Sequence, residues 1–335
     1  MADRFELSYV YARVCGSLSR AFIGGKAVEL ARVGRIPELW RALFQEPAPN
    51  LPEASLVAEA ERRAVAESLE GFGELARRLR SDEPFFEALR RKSEFARVKR
   101  ILLAARNGSS LPPSEDPGLA PGFREASHPR IADMFAGGRY SWIDEESAKD
   151  LPAVENRLDR QYYEELWAEL IRLPARKAGA LRSLILEEAE LQNVVWALRL
   201  ARYYGMGRAE IEGKLVSLKG ADASSSALEA LGFKLDQRAD WAGWAWEELL
   251  GGSEDRGGGF ILDLRDLEGR ARRRVYRSVK RALHLHPFTY TPLYCYFKIK
   301  EYETAAIIGV IEGLHLGAPF AEMASFAAGL AGGSA

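Results

Sequence analysis

The 335-residue chain is predicted to be all-α, with three related helical subdomains in a pseudo-threefold arrangement. Three observations carry this. Apolar residues recur at helical spacing, as in Leu158, Tyr162, Leu166 and Leu170, and no useful length alternates with period two. Proline and glycine punctuate the helical runs, at Pro47–Pro52, Pro174, Pro287 and Pro292. One motif is written three times: Glu94-Phe95 with Val98, Glu190-Leu191 with Val194, and Glu301-Tyr302 with Ala305. Each is an acid, then a large apolar residue, then an aliphatic one four positions after the acid. The runs end at Gly108, Gly205 and Gly317, the residue type that best closes a helix.

A second element repeats in step with the first. Leu56-Val-Ala-Glu59, Leu151-Pro-Ala-Val-Glu155 and Leu264-Arg-Asp-Leu-Glu268 occupy equivalent places. Glu59 and Glu94 are 35 positions apart, as are Glu155 and Glu190, and Glu268 and Glu301 are 33 apart. Units of about one hundred residues are longer than solenoid repeats, which indicates subdomains and not a stacked array. The expected boundaries are 1–110, 111–215 and 216–328, with a flexible tail over 329–335.

In chain order, residues 7–44 read as one or two helices, restarting at Ile36-Pro37 with proline in the first turn. A charged helix follows from Ser55 to Arg80, then a short helix from Pro84, and Glu94 opens the first motif helix. Asn107–Gly122 is a Gly/Pro/Ser linker, and Ile131–Trp142 is a weaker segment. Leu151–Leu173 is a strong helix, broken by Pro174 before the helix of Glu188–Gly205. Within that helix Leu191, Val194, Leu198 and Ala201 form the apolar stripe, and the acids Glu188 and Glu190 suit the positive end of its dipole. The third unit opens with Ala221–Ala230, then a tryptophan cluster at 241, 244 and 246. A glycine-rich loop, Gly251–Gly259, precedes a basic helix, Leu264–Leu283, and Pro287 and Pro292 introduce the final helix.

Bulk properties narrow the function. A formal net charge of −1 lacks the basic excess of a general nucleic-acid binder. Cys15 and Cys295 read as two buried reduced thiols, since a disulfide framework or zinc site needs more ligands at short spacing. The N-terminus carries Asp3, Arg4 and Glu6 without a long apolar core, so no signal peptide is expected. The longest apolar run, Ala305–Ile311, is far short of the ~20 residues that span a bilayer. A soluble cytoplasmic protein without a membrane span is expected.

Reaction chemistry finds little support. Gly24-Gly25-Lys26-Ala27 lacks the earlier glycine and the Ser/Thr of a phosphate loop. Gly205-Met-Gly207 follows a helix where a dinucleotide fold needs a strand, and Gly257–Gly259 reads as a connection. Glu125-Ala-Ser-His128 and Glu312-Gly-Leu-His315 match the Glu-x-x-His of di-iron bundles. Pro129 and Pro121-Gly122 make the first a loop, however, and His315 suits a helix C-terminus. His284 and His286 likewise read as a helix end. Neither cysteine has a histidine near it in sequence, no Gly-x-Ser-x-Gly elbow occurs, and Asp144-Glu-Glu146 reads as a solvated turn. No catalytic, cofactor-binding or metal residue is therefore assigned. The basic run Arg270, Arg272, Arg273, Arg274, Arg277, Lys280 and Arg281 is either a solvated face or a contact for an acidic partner or lipid headgroup.

The N-terminal Tyr9-Val-Tyr-Ala-Arg-Val14 and the motif helices resemble the C-type component of the archaeal/bacterial V/A-type ATPase, the counterpart of the d-type component of the vacuolar enzyme. The closest segments are Glu94–Gly108, Glu188–Gly205 and Pro292–Glu303 running on to Pro319. At the motif's asparagine position only Asn193 is kept, with Arg97 and Thr304 in the other copies, and the Gly251–Gly259 insertion has no counterpart in the pattern. The resemblance implies a funnel-like, non-catalytic rotor part without a cofactor. Its partners would be the central-shaft subunits and the membrane proteolipid ring, and its place the cytoplasmic periphery of the membrane. A helical di-iron enzyme or a scaffold of another complex are the alternatives.

Overall fold

The computed structural model describes residues 4–79, 84–111, 114, 116, 121–251 and 260–330. These contain fourteen α-helices and no strand, only an isolated bridge between Leu218 and Ala221. The first third of the chain holds α1 (Arg4–Leu18), α2 (Gly25–Leu30), α3 (Ile36–Phe44), α4 (Glu53–Arg78) and α5 (Pro84–Arg106). The middle holds α6 (Ile131–Phe135), α7 (Leu151–Arg172), α8 (Ala175–Ala178), α9 (Leu181–Tyr204) and α10 (Arg208–Glu212). The last part holds α11 (Ser225–Ala230), α12 (Leu264–Leu285), α13 (Thr291–His315) and α14 (Phe320–Leu330). The all-α expectation holds.

Local chemistry explains the starts and stops. Pro37, Pro152 and Pro292 stand in first turns, where a missing amide hydrogen costs nothing. The Asp150 side chain accepts from the Ala153 amide to begin α7, and that of Asp263 accepts from Arg265 to begin α12. Gly108, Gly205 and Gly317 adopt φ of 66°, 63° and 69°, the left-handed backbone that closes the three motif helices.

Several expectations need correction. The short helix at Pro84 and the first motif helix are one helix, α5. The motif acids do not start their helices: Glu94, Glu190 and Glu301 lie 10, 9 and 10 residues beyond Pro84, Leu181 and Thr291. The dipole argument therefore does not apply to them. α13 is not the last helix, because α14 folds back on it and places Phe326 and Met323 against Gly309 and Gly313. Cys295 is buried but Cys15 only half-buried, and both are free thiols. Arg80, Gly252–Gly259, residues 331–335 and much of the 107–122 linker lie outside the described residues.

The long helices pack in a circuit. α4 lies on α13, α7 lies on α5, and α12 lies between α13 and α9. Thus α4 and α7, the helices carrying Glu59 and Glu155, pack chiefly against a motif helix other than the one following each in sequence, whereas α12, which carries Glu268, packs on both α9 and the α13 that follows it. One large core gathers the C-terminal half of α4 with α5, α7, α9, α12 and α13. A smaller core joins α2, α3 and the first half of α4 to the end of α13 and to α14. Among the described residues no helix is long and apolar enough to cross a membrane.

Candidate functional site

The motif helices meet α7 and α12 around a cavity of about 440 Å³. Its lining includes Lys92 and Lys99 from α5, Asp159 from α7, Glu188 and Trp196 from α9, and Lys298 and Glu301 from α13. Lys298 Nζ donates to Glu188 Oε1 at 2.8 Å and meets Glu301 Oε2 at 2.6 Å. Lys92 Nζ stands 2.9 Å from Glu301 Oε1 and 4.0 Å from Glu188 Oε1. The hydroxyls of Tyr163 and Tyr294 each donate to Glu188, both at 3.0 Å. Toward the rim, Lys99 pairs with Asp159 at 2.6 Å and Arg272 with Glu268 at 2.6 Å.

Burial sets the electrostatics. Lys298 is 4% exposed, and a lone ammonium at that depth would be costly. Burial by itself would raise the Glu188 carboxyl, but Lys298, Lys92 and the Tyr163 hydroxyl outweigh it and hold the group down at about 2. Glu301 is lowered for the same reason, burial again being overcome by Lys298 and Lys92. Burial would lower Lys298, yet Glu188 and Glu301 hold it well above the ordinary lysine value. Burial also raises Tyr162, Tyr163 and Tyr294. Groups held this far from neutrality keep fixed charge states near pH 7, whereas a general acid or base must exchange a proton there. The arrangement therefore locks helices together and keeps the cavity's charges paired.

The motif positions do a second job. Glu94, buried in α5, accepts from the Tyr140 hydroxyl at 2.6 Å and from the Gly122 amide at 3.1 Å. Asn193 in α9 accepts from the Val216 amide at 2.8 Å and donates to the Val216 and Ala223 carbonyls at 3.0 and 2.7 Å. Glu303 in α13 accepts from the Phe22 amide at 2.8 Å. Each motif helix thereby staples an irregular stretch to itself through a mid-helix side chain. Arg97, at the asparagine position of the first copy, does the same by pairing with Glu125 at 2.5 Å. Glu190 has no such role: it is half-buried, and burial raises its carboxyl with help from Asp222 and Glu187.

The other candidates from the sequence scatter. Glu125 belongs to a 3₁₀ turn before His128, and His315 ends α13 with its Nδ1 3.4 Å from Glu53. No three His, Cys, Asp or Glu among the described residues converge so as to hold a metal ion. Lys26 donates to the Ser19 carbonyl at 2.6 Å beside a Gly24 turn. His284 bonds Tyr11 at 3.0 Å, and Ser147 closes a turn on Asp144. Trp241 and Trp244 are core residues whose indoles donate to the Lys234 and Ser226 carbonyls, while Trp246 is half-buried beneath Arg274. The central network escaped sequence reasoning, although a signal existed: Lys92 and Glu188 both stand two positions before a motif acid, with opposite charge.

Fold and cavity define an all-helical protein whose long helices surround a charge-paired interior. The chain belongs to the ATP synthase (C/AC39) subunit family, whose model matches residues 44–325. It is 29% identical over 317 residues to an uncharacterized protein of Treponema pallidum (strain Nichols), a match covering 92% of each chain.

Proposed function

We propose that this chain is the non-catalytic central-rotor component of a V/A-type rotary ATPase. It links the central shaft to the membrane proteolipid ring and couples ATP hydrolysis or synthesis to proton or sodium transport. Family membership over residues 44–325 carries the reading. The three motif helices α5, α9 and α13, each closed by a left-handed glycine at Gly108, Gly205 and Gly317, support three related units, 1–110, 111–215 and 216–328, about a pseudo-threefold axis. The cavity between the motif helices, α7 and α12, at about 440 Å³, would admit a few side chains from the shaft's foot. Its charges are internally satisfied, so it offers shape and polarity without a reactive group. The protein works at the cytoplasmic face of the membrane without spanning it.

Affinity capture of the tagged chain from mildly solubilised membranes tests this. Shaft and proteolipid subunits are expected together in the eluate. Recovery of neither, or ATP hydrolysis by the isolated chain, would contradict it.

A further inference from the structure

While the cavity's charges cancel in pairs, those at the far end of α12 do not. From Gly269 to Lys300 the chain has nine lysines and arginines and no acid. Midway along α12 two of these find partners: Arg272 pairs with Glu268, and Arg274 with Glu187 and Glu248. Further along, Arg277, Lys280 and Arg281 are exposed and make no ion pair or side-chain hydrogen bond with any described residue. Their spacing of three and four puts them on one helix face.

Neighbouring elements reinforce that end. Glu268 meets Arg199 and Arg274 meets Glu187, so α12 runs antiparallel to α9. Its last turns therefore lie level with the first turn of α9, which carries the exposed Arg182. α1 passes the same place, with Tyr11 bonded to His284 at 3.0 Å and the Arg4 guanidinium 4.9 Å above the Phe288 ring. Here large apolar side chains stand in solvent: Phe5 is 77% exposed, Leu285 61% and Phe288 45%.

Their order along the chain identifies the partner. Leu285 and Phe288 lie at the tip, and the unpaired cations lie one to two turns behind Leu285, roughly 6–12 Å back along the axis. A bilayer surface has that layering, with a headgroup–acyl boundary that takes rings and, outside it, phosphates that take cations. A protein interface has the other order, an apolar centre inside a polar rim. The geometry points to this end of the molecule, Phe5, Arg277–Arg281, Leu285 and Phe288, as a contact for anionic phospholipid headgroups. The stretch of α12 that lines the cavity, Glu268–Val275, lies at the helix's other end, so shaft and membrane would be met on different faces. The inference rests on the rotor reading for what brings this end to a bilayer, but its test uses the isolated chain.

The experiment is cosedimentation of the purified full chain with vesicles of phosphatidylcholine, alone or mixed with phosphatidylglycerol. Binding is expected only to the mixed vesicles, with loss at high salt. The triple variant R277E/K280E/R281E should bind about tenfold more weakly or worse. F5S/F288S should also bind more weakly while keeping the salt dependence. A matched reversal on the other core, R32E/R35E/R41E, should bind as the parent does, and circular dichroism checks that every variant is folded. Absence of binding by the folded parent, or equal loss in both triple variants, overturns the inference. So does a failure of R277E/K280E/R281E to retain the proteolipid ring in detergent when the parent binds no vesicle, since the partner is then a protein. Failed vesicle binding with intact co-purification removes this contact and leaves the rotor reading standing.

Discussion

Lys298 and Arg281 belong to adjoining helices of one core, yet their surroundings are opposites. Lys298 is buried and bonded to Glu188 and Glu301, whereas Arg281 stands in solvent without a partner among the described residues. The contrast follows from desolvation. A buried charge survives only when paired, so the cavity network was settled within the fold. An exposed charge needs no partner to be tolerated, so a one-sided exposed group is free to serve association. The buried set should govern stability, and the exposed set should govern what the protein binds.

The largest effect expected is from Lys298→Met, which strands the buried Glu188 carboxylate. A loss of about 3–5 kcal/mol is expected in urea unfolding. Adding Glu188→Leu should recover most of it, because an apolar pair of similar volume carries no desolvation cost. If the double variant is no more stable than the single one, the network is not the coupled unit described. Next is Asn193→Ala, which leaves the Val216 amide and the Val216 and Ala223 carbonyls unpaired. A loss of about 2–3 kcal/mol is expected, together with faster hydrogen exchange confined to residues 211–224. Uniform exchange across the chain would deny the stapling role.

The pH dependence gives a finer test. Glu188 and Glu301 are depressed, so their contribution is complete above the ordinary carboxylate range. It is lost as pH falls from that range toward about 2 for Glu188. Lys298 is raised, so its contribution is complete below the ordinary lysine value and is lost as pH climbs through its elevated one. A plateau of urea stability from about pH 5 to 10 should result. Lys298→Met should flatten the acid limb, because Glu188 loses the cation that depresses it. An unchanged acid limb would show that other carboxylates dominate. The smallest effect on stability belongs to R277E/K280E/R281E, expected within about 0.5 kcal/mol of the parent in the same titration. A large loss would place those residues in the fold and not on a docking face.

The fold class was legible because helical periodicity and proline starts act locally, as at Pro37, Pro152 and Pro292. The register of the three motifs was legible too: Glu94, Glu190 and Glu301 fall within one residue of the same depth in their helices. Their environments were not. Glu94 is satisfied by Tyr140 and Gly122, Glu190 is half-buried, and Glu301 is doubly ion-paired. Those differences depend on which loop or helix from elsewhere in the chain arrives opposite, Tyr140 and Gly122 for Glu94 and Lys92 for Glu301, which no local pattern encodes. The same reason hid Glu188, whose cations come from helices 96 positions before it and 110 after it.

The most direct test of the rotor reading is ATP-driven ion pumping in vesicles carrying the reconstituted complex with and without this chain. Without it, hydrolysis by the soluble part is expected to persist while no ion gradient forms, and adding the chain back should restore the gradient. Full pumping in its absence would contradict the account.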